Sequence, residues 1–320
     1  MSKKKHSSRN QKSDQGRYSG SPISRRCFLG EMGVLSGAFF LQAGVFDFAS
    51  SLFAESPGKC GNKPVVRVGF ARPDKDRIHM GWPGKDWDNP EHQRHYTRIL
   101  KQAARDLDVD LRLTQEPLED EQDAGGFLEV VKKEQPDGLI VVCMDLNEGW
   151  GPTNRIAKQR GNIPTIVFSP VGSSFTGHLQ ETKDIDGVFV AAIQNEEWLK
   201  TGLRMLDTVW QMKHTRLCIV EGDETRDEQV EHLGTTLHYY PEQGLCDMAH
   251  STEVTEKVRA IADYYERHAR DIIEPTHKDI LNAAKIYVVL RTLMKEEKCD
   301  GISINCLPMV SQAVGTEGHL

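Results

Sequence analysis

Carboxylates, an amide and a tryptophan gather behind two apolar runs of this 320-residue chain. Asp145-Leu146-Asn147-Glu148-Gly149-Trp150 follows GLIVVCM, and Glu221-Gly222-Asp223-Glu224 follows Thr215–Val220. Further polar loops are Arg72-Pro73-Asp74-Lys75-Asp76-Arg77, then Gly81-Trp82-Pro83-Gly84, and Ser169 to Ser174. Carboxylates and amides bond hydroxyl groups, and an indole face covers a sugar ring, so these loops suit a polyhydroxyl ligand. Asp145, Asn147, Glu148, Trp150, Glu221 and Asp223 are the candidate substrate-binding residues, and no residue is assigned as catalytic. Gly172-Ser173-Ser174 resembles a phosphate cradle only loosely. No G-x-x-x-x-G-K-[ST] or G-x-G-x-x-G follows a strand, so nothing points to a nucleotide. His92 and His95 lack the H-E-x-x-H spacing of a zinc helix and read as an exposed polar helix. His268, His277 and His319 show no partner carboxylate pattern, and no G-x-S-x-G elbow supports nucleophilic chemistry.

The elements that must hold these loops alternate strand and helix. Strands are expected at 65–70, 109–114, 138–144, 163–169, 187–193, 215–221, 236–240 and 301–306, and helices at 91–106, 121–134, 150–160, 196–212, 252–272 and 277–297. Ser251/Thr252 is the expected cap of the fifth helix. Thr276 with Asp279 is a capping-box-like start for the sixth. Continuous apolar strands separated by helices imply parallel sheets covered on both faces. In such sheets ligands bind beyond the carboxyl ends of the strands. The expected fold class is therefore α/β, with two doubly wound, Rossmann-like or flavodoxin-like parallel-sheet domains after a disordered signal segment. The first domain is placed at 60–212, the second at 213–310, and an irregular tail at 311–320.

Ser24-Arg25-Arg26-Cys27-Phe28-Leu29 has the form of a twin-arginine export signal. A basic stretch precedes it, and an apolar, small-residue run from Met32 to Phe46 follows. That run is shorter than the ~20 residues of a spanning helix. Residues 1–54 therefore read as a signal peptide, with Leu52-Phe53-Ala54 as the cleavage site. An exported protein of the periplasm or another extracytoplasmic space is expected. Eight of 40 Lys/Arg and three of 47 Asp/Glu precede Glu55, which leaves 32 against 44 and a net charge of −12. So acidic a surface disfavours nucleic acid and anionic membrane as partners, and no stable membrane insertion is expected. The seven cysteines form no C-x-x-C pair. Cys143, Cys218 and Cys306 fall in apolar strands and read as buried structural thiols.

Glu274-Pro275, then Lys278 to Tyr287 (KDILNAAKIY), then Cys299 to Leu307 (CDGISINCL) resemble the L-fucose/L-arabinose isomerase-like family. There, a helix of this type leads into a strand ending in a cysteine. The resemblance implies an aldose–ketose isomerase of a pentose or deoxyhexose. Such an enzyme uses a divalent metal, typically manganese, to stabilise an enediolate through adjacent oxygens. A homo-oligomer is also implied. The family's metal ligands lie downstream of the cysteine-ending strand, and no position here matches them. Glu317 and His319 are not in that context. The expectation is two N-terminal domains of the family without the third, catalytic one, inactive alone. The alternative is an exported two-domain sugar-binding protein without catalysis.

Overall fold

The computed structural model describes residues 63–80, 84–146, 148–170 and 174–305. The export segment, Trp82, Asn147, Gly172-Ser173, Cys306 and the 311–320 tail lie outside the described residues. The protein is α/β. β1 (Val65–Ala71) leads through a hairpin, β2 (Arg77–Met80) and β3 (Lys85–Asp88), into α1 (Asn89–Leu107). Then come β4 (Asp110–Leu113), α2 (Glu121–Glu134), β5 (Gly138–Cys143), α3 (Trp150–Gln159) and β6 (Thr165–Ser169). A short α4 (Thr176–Leu179), β7 (Val188–Ala192) and α5 (Glu197–Lys213) complete this half. The five strands are parallel, in the order β4-β1-β5-β6-β7. This is a flavodoxin-like winding whose direction reverses between β1 and β5.

Burial explains the layers. All six residues of β5 are buried, so both faces of the strand need apolar cover. Ile140, Val142 and Phe168 pack with Tyr96 and Leu100 of α1 and Leu199 and Leu203 of α5. Leu139, Val141 and Val167 point the other way, onto Ala124, Phe127 and Val131 of α2 and Ile156 of α3. Alternate residues of one strand thus feed two cores. The helices start and stop on local chemistry. Asp88 caps α1 by accepting the Glu91 N–H at 2.8 Å, with Pro90 at the start, where its missing N–H costs nothing. Asp120 and Asp123 form a capping box on α2.

The second sheet has the order β11-β8-β10-β9. Its strands are β8 (Arg216–Val220), β9 (Arg226–Gln229), β10 (Thr236–Tyr240) and β11 (Gly301–Ile304). β8, β10 and β11 are parallel, whereas β9 runs antiparallel on the edge. The sequence pattern missed β9 because Arg-Asp-Glu-Gln is wholly exposed and charged, a composition that guards a sheet edge against further pairing. It also missed α6 (Glu242–Ser251), which opens after Pro241. α6 and α8 (His277–Glu296) cover the face carrying Cys218 and Val220. Leu217, Ile219, Leu237 and Tyr239, on the other face, are only half-buried. This sheet is therefore clothed on one side among the described residues, not on both as expected. α7 (Glu256–His268) begins at Thr255, whose hydroxyl accepts the Val258 N–H, and not at Ser251/Thr252, which end α6. Thr276 and Asp279 do form the capping box of α8. Cys143 and Cys218 are fully buried, as their strands require. No helix among the described residues is long and apolar enough to cross a membrane.

One glycine fixes the junction of β5 and α3. A Cβ on Gly149 would lie 2.8 Å from the Ala71 carbonyl oxygen, 3.1 Å from that of Asp145 and 3.2 Å from Cys143 Sγ. Backbone oxygens held in a sheet end cannot swing away. Gly149→Ala is therefore expected to lower stability by about 2 kcal/mol, the usual cost of overpacking. A urea-unfolding midpoint unchanged from the parent protein would refute this.

Candidate functional site

The reversal of winding leaves a crevice beyond the carboxyl ends of β1 and β5. Ala71 and Cys143 are the last paired residues, and Met144 N–H donates to the Ala71 carbonyl at 2.8 Å. One residue beyond that bond on each strand stands a charge, Arg72 at 7% exposure and Asp145 at 8%. Charges so deep need hydrogen bonds. Arg72 Nε donates to Gln93 Oε1 at 2.7 Å and Nη1 to the Pro73 carbonyl at 2.8 Å. Its Nη2 bonds no group among the described residues. Gln93, on α1, also donates to the Gln115 carbonyl at 3.0 Å, which ties the guanidinium to the chain leaving β4. Burial pulls Arg72 below its ordinary pKa, and Asp74, Asp76 and Glu119 oppose the shift. Arginine stays charged throughout.

Asp145 shapes its own loop. Its Oδ2 accepts the Glu148 N–H at 2.6 Å, and the Thr153 hydroxyl donates to the Gly149 carbonyl at 2.7 Å. Glu148 remains half-exposed and reaches Lys75 Nζ at 3.8 Å, across from the β1 loop. Asp145 and Glu148 thus share the crevice with Arg72, Lys75 and Gln93. Arg72 and Lys75 fall in a polar loop the sequence marked, without being assigned as candidates, whereas Gln93 went unmarked because its role depends on strand order, which no local pattern carries.

The other candidates behave differently. Asn147 lies outside the described residues. Trp150 is 3% exposed and belongs to the apolar cluster of α2, α3 and β5. His178 stacks near it, with ring centroids 6.0 Å apart and planes at 11°. Its indole is a core side chain. Glu221 and Asp223 are exposed at the end of β8, in the second sheet. Their loop is held by backbone bonds, Glu221 N–H to Tyr240 O at 3.1 Å and Glu242 N–H to Gly222 O at 3.0 Å. Asp145 and Glu148 thus stand at the end of the first sheet, and Glu221 and Asp223 at the end of the second. His92 and His95 also find partners. His92 stacks on Trp87 with centroids 3.5 Å apart, and His95 Nε2 lies 2.7 Å from Glu196. His277 meets Glu266 at 2.7 Å, a pairing of α8 with α7.

A second polar cluster escaped the sequence entirely. His238, 4% exposed in β10, has Nδ1 at 2.6 Å from Arg216 Nη2 and 2.7 Å from Asp227 Oδ1. That nitrogen either accepts from the guanidinium or donates to the carboxylate. Its Nε2 stands 3.0 Å from Glu297 at the end of α8. Arg216 also bonds Asp227 at 2.7 Å and donates through Nε to the Glu297 carbonyl at 3.3 Å. The cluster pins β8, β9, β10 and α8 together. The spacings of 11, 22 and 81 residues follow no periodicity and left no signal. Nearby, burial pushes the Cys218 thiol up to about 12, as befits an inert structural cysteine.

Among the described residues, no group of three or more His, Cys, Asp or Glu side chains converges as a cation site requires. No protein-family model matches the chain, and no curated protein matches it.

The Arg216 and His238 contacts hold Asp227 below its ordinary carboxylate pKa. A lowered native pKa gives stability that is full above the unfolded value of about 4 and fades as pH falls through the native value. The stability difference between the parent protein and Asp227→Asn is thus expected to be constant from pH 7 to 5 and to shrink below pH 4. Denaturant melts across that range measure it, and a difference that grows toward low pH would contradict the assignment.

Proposed function

We propose that this chain binds a small polyhydroxyl ligand, a sugar, in the crevice between the ends of β1 and β5. The observation that carries the reading is the pair of buried charges, Arg72 and Asp145, each just past the end of one of the two neighbouring strands between which the winding reverses. A site with buried polar groups recognises hydroxyls strongly, because a ligand lacking them leaves those groups unpaired. Guanidinium donors, carboxylate acceptors and the Gln93 amide match the mixed donor and acceptor character of a sugar hydroxyl. The acidic rim of Asp74, Asp76, Glu119 and Glu148 favours a neutral ligand over an anion. The twin-arginine-like segment at 24–29 gives the protein an extracytoplasmic place of action.

Aldose–ketose isomerisation is the second reading. It is favoured by the form of 277–304, a long capped helix leading into a strand, in the segment that carries the isomerase resemblance. Binding and conversion separate in one set of measurements. Calorimetry with L-fucose, L-arabinose and their ketoses is expected to show saturable binding, weakened roughly tenfold or more by Arg72→Lys and by Asp145→Asn, as for loss of a charged hydrogen bond. Chromatography of the same mixtures with added manganese is expected to show no ketose. Absence of binding by every sugar, or unchanged affinity in both variants, would sink the binding reading. Steady ketose formation would instead favour the second.

A further inference from the structure

At the opposite, amino-terminal edge of the first sheet lies a cavity of about 490 Å³. It lies between the ends of α2, α3 and α5 and the segments entering β5 and β6. This is the size range of small-molecule sites. Its deepest polar group is Arg160, at 6% exposure. Arg160 Nη1 donates to the Ala157 carbonyl at 2.6 Å, and Nη2 donates to the Asp186 carbonyl. Its buried Nε has no hydrogen-bond partner. Among the described residues it meets no carboxylate, and neither do Lys132 and Lys213 on the same wall. Burial alone lowers the Arg160 pKa, with no countercharge to oppose it.

A buried guanidinium without a counterion is costly, and its orphaned donor is the more so. The carbonyl ends of three helices offset part of the charge. They leave the Nε–H unmet. Two carboxylates share the lining. Glu129 is exposed, and Asp137 already accepts the Val65 N–H at 2.8 Å. The rest of the wall is apolar, with Leu128, Ile163, Val209 and the half-buried indole of Trp210.

We infer that this cavity binds a small organic anion, its oxyanion end at Arg160, Lys132 and Lys213 and its apolar body against Ile163, Val209 and Trp210. Planar charged forks suit carboxylate and phosphate alike. The site is separate from the sugar crevice, so either can fail without the other.

The test is calorimetry on the full chain with phenyl phosphate, benzoate and, as the uncharged control, benzyl alcohol. One saturable site is expected for at least one of the two anions, and none for the alcohol. Lys132→Gln/Lys213→Gln, a surface change that leaves the core alone, is expected to weaken binding roughly tenfold, and Arg160→Gln to abolish it. Phenyl phosphate alone would identify a phosphoryl ligand, and benzoate alone a carboxylate. The inference is overturned if neither anion saturates, if the alcohol binds as tightly as the anions, or if the double lysine variant binds like the parent.

Discussion

The structure depends on one constraint, the complete burial of β5. Six consecutive residues without exposure leave the strand no polar face, so helices must lie on both sides and all polar chemistry is driven to its two ends. The carboxyl end opens where the winding reverses, because β1 and β5 send their chains in opposite directions. The buried charges Arg72 and Asp145 are tolerable there because main-chain and amide partners surround them. The amino-terminal end instead gathers helix carbonyls, and cations answer them.

The second sheet follows a different rule. Helices cover one face, while Leu217, Ile219, Leu237 and Tyr239 are half-buried on the other. Arg226 lies over the Tyr239 ring at 3.5 Å from its centroid and shields part of that face. Its rigidity comes from polar contacts as well as apolar packing. The Arg216 guanidinium, the His238 imidazole and the Asp227 carboxylate bond one another across three strands, and Arg216 also reaches the Glu297 carbonyl at the end of α8.

Much of this architecture was legible because burial writes itself into apolar runs. GLIVVC and TIVFS could only be central strands, and the helix expected at 121–134 has those bounds. The charged edge strand RDEQ was invisible for the converse reason, since nothing in it is buried. At the candidate site, the sequence marked Asp145 and Glu148 only as members of the polar loop that follows a buried strand. The burial of Trp150 was not legible, because its sequence position says nothing about which way the indole turns. It begins α3 and turns inward, onto the core. Arg72, Gln93 and the His238 cluster needed strand order and chain reversal, which are properties of the whole fold.

The central claim is that the crevice between β1 and β5 is the ligand site. Hydrogen–deuterium exchange of the full chain, with and without saturating L-fucose or L-arabinose, tests it most directly. Slower exchange is predicted in peptides spanning 71–77 and 144–150, with 216–240 unchanged. Protection confined to 216–240, or none anywhere, would contradict the account.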